Sequence, residues 1–162
     1  ITGITASLIT SVNVFGKQRY GTAVFEIDEL SSRRIFPYVH IDHLIVTNLS
    51  RDSIMRNAHP EYIRSVLEAH SDKSTKLILN ADDLISSQLC PDGDRVFFGI
   101  DLLKSDKTEC TNLIDDCPIC PVCNNKLKYT RNRYSNIGRA YCPNCDFKSP
   151  DADYLATDIN LQ

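Results

Sequence analysis

Cys120-Pro-Val-Cys123 and Cys142-Pro-Asn-Cys145 form two cysteine knuckles separated by eighteen residues, a C-x2-C-x18-C-x2-C spacing. Each knuckle is a tight turn that aims two sulfurs at one point, and two knuckles facing each other offer four soft thiolates to a tetrahedral cation. Zinc is the ion this donor set suits; a disulfide pair or free thiols are the other uses of such cysteines. Asn124 and Asp146, just past the knuckles, are residue types that tolerate the left-handed backbone such turns often need. Cys117 makes a further CPxC with Cys120. Pro121 follows Cys120 and lacks an N–H to offer a thiolate, so the ligands are assigned as Cys120, Cys123, Cys142 and Cys145, with Cys117 as substitute. Four thiolates leave no open position for water or substrate, which makes the metal structural.

Other candidates are single polar residues near apolar runs. Glu26 ends the run Thr22-Ala-Val-Phe-Glu-Ile27, and a carboxylate there suits a hard cation such as Mg2+. With Asp28 and Glu29 it could equally decorate a helix N-terminus. Asn80 carries a donor and an acceptor on one planar amide, a match for the N6/N7 edge of adenine. A turn-forming Asn after a strand is the plainer reading. Arg51, Arg56 and Arg64 could meet phosphate, although isolated arginines are usually solvated. His40, His43, His59 and His70 show no metal-ligand spacing. No GxxxxGK[ST] phosphate loop occurs, so the chain by itself is expected to be catalytically silent.

The elements that would position these groups can be read from periodicity. Ile4, Leu8, Ile9 and Val12 share one face at helical spacing, and a helix beginning at the first residue leads us to expect a longer parent protein. Residues 22–27, 43–47, 76–79 and 95–100 read as strands, the first buried. Between them, a helix could begin at Asp28. Pro60 suits a helix first turn, with Tyr62, Ile63, Val66 and Leu67 as its apolar stripe. Asp82 or Asp83 can cap a short helix through Leu89. Strands alternating with helices predict a parallel α/β sheet, whose ligands bind beyond the carboxyl ends of the strands. Glu26, Asn48 and Asn80 would share that edge. Residues 154–161 read as a last strand returning to the main body, so the cysteine-rich segment is an insertion.

Composition bounds the class. The chain has 162 residues, 42% hydrophobic and 24% charged, with no apolar run near the roughly 20 residues of a membrane span. Seven cysteines without a secretory signal point to metal and reduced thiols, hence to cytoplasm. A net charge of −3 argues against a general nucleic-acid coat. Residues 124–139 nonetheless hold Lys126, Lys128, Arg131, Arg133 and Arg139 with no acid. They read as a solvated hairpin whose cations offset the charge of a metal tetrathiolate. Less strongly, they read as a patch for phosphate or nucleic acid, with Tyr129 and Tyr134 able to stack.

VFEIDE (24–29), TNLSRD (47–52), LNADD (79–83), FFGID (97–101), the paired CPxC knuckles and DYLAT (153–157) occur in this order. Together they resemble the central domain of the Mur ligase family, and the inserted ribbon narrows the resemblance to the MurT type. The resemblance implies an α/β, P-loop-NTPase-like Mur ligase central domain lacking the P-loop, over 1–109 and 150–162, with a four-cysteine zinc ribbon inserted at 110–149. It implies ATP and Mg2+ in the parent enzyme, Glu26 on the magnesium and Asn80 at the adenine. The implied reaction makes an acyl phosphate of the α-carboxyl of D-glutamate in lipid II, which ammonia from a GatD-type glutaminase partner converts to D-isoglutamine. A Mur-type ligase adding an amino acid, or a ribbon module binding protein or nucleic acid, are the alternatives. Asp52-Ser53 stands where the family commonly has Asp-His, which removes the histidine expected beside a second magnesium.

Overall fold

The computed structural model describes residues 2–49 and 60–159. Arg51, Asp52, Ser53, Arg56 and His59 lie outside them, as do residues 160–162. The first helix, α1, runs Thr2–Thr10. Its apolar face is only partly used: Ile4 packs against the core while Ile9 is 67% exposed. The buried strand expected at 22–27 is absent. That segment takes no regular structure and pairs with no described strand, and Val24 is exposed. Without a neighbouring ladder, an apolar run has nothing to satisfy its backbone as a strand.

Asp28 begins a helical turn, as its residue type suggested. Its Oδ1 accepts from the Leu30 and Ser31 amides at 3.1 and 3.2 Å, leading into the short helix α2, Ser32–Ile35. Then follow β1 (His43–Val46), α3 (Pro60–His70), β2 (Lys76–Asn80) and β3 (Arg95–Ile100). After a long excursion containing β4 (Lys128–Tyr134) and β5 (Ile137–Tyr141), the chain returns as β6 (Tyr154–Ala156). The order β1-β2-β3-β6 makes one four-stranded sheet, parallel throughout. Parallel neighbours need crossovers long enough to cover the sheet. One is α3, whose Ile63 and Leu67 are buried in the core, while Tyr62 of the expected stripe is 46% exposed. The β2–β3 crossover holds only a 3-10 turn, Ser86–Gln88, where a short helix was expected, and the β3–β6 crossover is the long excursion through β4 and β5.

Two apolar clusters result. The larger contains Phe36, Val46, Leu49, Ile63, Leu77, Leu79 and Leu89. Each such side chain, fully buried, contributes roughly 1.5–3 kcal/mol relative to exposure. The smaller gathers Leu84, Leu127, Ala140, Cys120 and Cys142 around the antiparallel β4–β5 hairpin. Cys117 touches both clusters. Among the described residues, no helix is long and apolar enough to cross a membrane.

Candidate metal centre and its seat on the sheet

The sulfurs of Cys120, Cys123, Cys142 and Cys145 all lie within 4.8 Å of one another. Cys120 Sγ sits 3.6 Å from Cys145 Sγ, and Cys123 Sγ 3.4 Å from Cys142 Sγ. A tetrahedron with metal–sulfur arms of ~2.3 Å has edges of about 3.8 Å, so the separations fit zinc. The Val122 amide donates to Cys120 Sγ and the Asn144 amide to Cys142 Sγ, each at 3.4 Å. In both knuckles the donating N–H belongs to the second residue after the cysteine, so Pro121 and Pro143 cost nothing. What sets Cys117 apart is therefore place, not the proline. Its thiol, pushed up to about 12 by burial and then by the Asp115 charge, is neutral and packs as a small apolar group.

Side-chain and backbone donors on Asn125 pull Cys123 down to about 6. Cys145 gains a hydrogen bond from the Phe147 amide, yet burial and the other three sulfurs push it up to about 12. Four converging sulfurs cannot all ionise on their own; a divalent cation among them is what would let them. Asn124 has φ 59°, as its type suggested, whereas Asp146 is not among the residues with positive φ.

The basic hairpin is corrected by the structure. Arg131, Arg133 and Arg139 are neither solvated nor a free cationic patch, their side chains being 12%, 19% and 19% exposed. All three converge on Asp82, which is 2% exposed: Arg131 Nη2 and Arg139 Nε reach Oδ1 at 3.1 and 3.0 Å, Arg133 Nη1 reaches Oδ2 at 3.3 Å. Arg133 also clasps Asp106 through Nε and Nη2, at 2.9 and 2.8 Å. Arg131 and Arg139 are directly opposite across the hairpin, a like-charge pairing that is unfavourable unless an acid sits between them. Asp82 is that acid. Burial pushes its carboxyl up, but the Ile100 amide and the arginines outweigh this and hold it below the usual range. Gly99 of β3 leaves room for the crossing, since a Cβ there would come 3.2 Å from Arg139 Nη2, tight enough that the guanidinium would have to shift by a few tenths of an ångström.

One residue on, Asp83 is fully buried and joins three segments. It accepts from the Leu49 amide at 2.6 Å, the Ile85 amide at 2.9 Å and Asn136 Nδ2 at 2.6 Å. Burial nevertheless raises its pKa. The Ser135-Asn136 turn of the hairpin therefore sits at the carboxyl end of the parallel sheet, beside the ends of β1 and β2.

Asn80 ends β2 there. Its Nδ2 donates to the Thr47 carbonyl at 2.8 Å and its Oδ1 accepts from the Asp82 amide at 2.9 Å. The turn-forming use of this residue is thus real, and each side of the amide keeps capacity for one more hydrogen bond. Asn48 follows β1 at the same edge. Glu26 does not join them: exposed and at no strand end, it lines a recess of about 430 Å3 with Gly3, Ile4 and Ser7 of α1 and Ile35 of α2. The expected three-residue alignment along one edge is reduced to Asn48 and Asn80.

No family model matches the chain. It is 30% identical over 161 residues to the lipid II isoglutaminyl synthase (glutamine-hydrolyzing) subunit MurT of Streptococcus pneumoniae, covering 98% of this chain and 35% of that protein. The MurT subunit of Staphylococcus aureus is 33% identical over 141 residues, 86% of this chain and 32% of its own length. The chain therefore spans about a third of the curated relatives it matches. A solved pseudomurein peptide ligase type C from Methanothermus fervidus superposes with a TM-score of 0.57 at 26% identity, over 75% of this chain and 24% of the other. Along nearly its whole length the chain is a distant relative of MurT subunits, with the sheet of a Mur-type peptide ligase and a cysteine cluster that fits an inserted zinc module.

Proposed function

We propose that the chain is the nucleotide-handling central part of an ATP-dependent carbon–nitrogen ligase subunit, acting on the α-carboxyl of D-glutamate in lipid II. The relation to MurT subunits over 98% of the chain carries this reading. The parent enzyme would work in the cytoplasm with a GatD-type glutaminase that delivers ammonia. The segments 1–109 and 150–162 would form the ATP-binding part and 110–149 the ribbon. Zinc would be structural, held by Cys120, Cys123, Cys142 and Cys145.

Glu26 offers an exposed carboxylate on the recess beside α1, where it would hold Mg2+; Asn80 would meet the adenine with its remaining donor and acceptor. Bound Mg2+ and ATP supply phosphoryl transfer to the carboxylate, so this chain's contribution is placement and charge. The chain alone would hydrolyse no ATP, since it contains no phosphate loop of the expected type. The pseudomurein ligase likeness also favours a second reading, in which an amino acid replaces ammonia as nucleophile.

The test uses the full-length subunit assembled with its glutaminase. Glu26→Ala should lower amidation at least about 100-fold, roughly 2.7 kcal/mol, with circular dichroism unchanged. Normal activity in that variant would strip Glu26 of its role, and product formation only with a free amino acid would favour the second reading.

A further inference from the structure

We propose that the metal-held hairpin is a positioning clamp on the Asn80–Leu84 loop, and that Asp82 is the positioning residue through which metal occupancy fixes that loop. The bonds run from both sides of the hairpin. Gly138 donates its amide to the Asp82 carbonyl, and the Leu84 amide donates to the Asn136 carbonyl at 3.2 Å. Asn136 Nδ2 reaches Asp83 and the Leu49 carbonyl, while the three guanidiniums hold the Asp82 carboxylate. Asp82 in turn offers its own amide to Asn80 Oδ1, which sets the plane of the Asn80 amide.

The strands carrying those arginines end next to the ligands. Leu127, one residue before β4, and Ala140 of β5 pack with Cys120 and Cys142, and Cys142 directly follows β5. Pulling the sulfurs apart would therefore loosen the ligand end of the hairpin that bears the arginines. The clamp stands on these contacts alone; its bearing on nucleotide rests on the reading of Asn80 given above.

Hydrogen exchange on the full-length protein tests it. Stripping the metal with a chelator should speed exchange at the Asp82, Asp83 and Leu84 amides by about tenfold or more. Ile63 and Leu67 of α3 and Leu77 of β2 should stay protected, and zinc should restore the loop. Exchange that rises only within 117–148, leaving 82–84 protected, overturns the clamp. If the whole chain unfolds without metal, Arg139→Gln and Asp82→Asn decide in cobalt-loaded protein. Faster loop exchange with unchanged cobalt–thiolate absorption supports the clamp, and unaltered loop exchange overturns it. In the assembled enzyme, Arg139→Gln should raise the KM for ATP with kcat largely kept. A loosened loop with an unmoved KM would leave the clamp standing and count against Asn80 at the nucleotide.

Discussion

Gly138 is the residue on which the hairpin's close packing turns. A Cβ there would drive into the Arg131 carbonyl and the Asn132 Cα, both backbone atoms that cannot swing aside. Gly138→Ala should cost about 2–4 kcal/mol and weaken zinc affinity, because the strands that carry Cys142 must part. Thermal melts and competitive zinc titration would check both, and an unchanged melting temperature would show that the bulge next to Asn132 absorbs the methyl. The cysteines were legible from their spacing because two pairs of thiolates, each with two residues between them, have few other uses. The arginines were not. Their charge is visible in the chain, but Asp82 lies 49 residues before Arg131, and nothing local says that one carboxylate serves three guanidiniums. A signal was present in retrospect: Arg131 and Arg133 alternate onto one strand face, which a surface patch does not require.

At the scale of elements, the hairpin is fastened to the sheet by charges removed from water. Such a pair adds little over an apolar replacement, but breaking it is costly. Asp106, 1% exposed and gripped by Arg133, illustrates this. Its carboxyl meets a desolvation penalty, yet Arg133 and the Leu103 amide hold it below the usual range. A depressed folded pKa means its contribution is present above the unfolded value near pH 4 and is lost as pH falls through the folded one. Asp106→Asn should therefore cost about 3 kcal/mol at pH 7. The gap between wild type and variant should start to narrow as pH falls below about 4, where the unfolded chain takes up the proton, and close only below the folded pKa, where both carry a neutral side chain. Comparing the two cancels any loss of metal from protonated thiolates, which affects them alike. A gap that stays constant from pH 7 to 3 would mean the pair contributes through packing alone. The helix α3 was legible from its apolar stripe, and β1, β2 and β3 from short apolar runs bounded by polar residues and turn signals. The segment 22–27 was misread because a short apolar run cannot be told from a strand without its neighbour.

At the scale of the whole molecule, stability should concentrate where the parallel sheet meets α3. Leu79 is fully buried at the second register position from the carboxyl end, paired to Val46 on one side and Phe97 on the other. Ile45 on β1, an edge strand among the described residues, is by contrast 59% exposed on its face of the sheet. Truncating a side chain costs its lost transfer energy plus the cavity left behind, and only the buried one leaves a cavity. Leu79→Ala should then lower the unfolding free energy by about 3 kcal/mol, a large share of the ~5–15 kcal/mol that holds a typical domain. Ile45→Thr should move it by no more than about 0.5 kcal/mol. Urea titrations followed by circular dichroism would measure both, with unchanged m-values confirming that the same surface unfolds. Equal losses at the two positions would mean that β1 is covered in solution. Ile45 would then be packed against a neighbour over that face of the sheet.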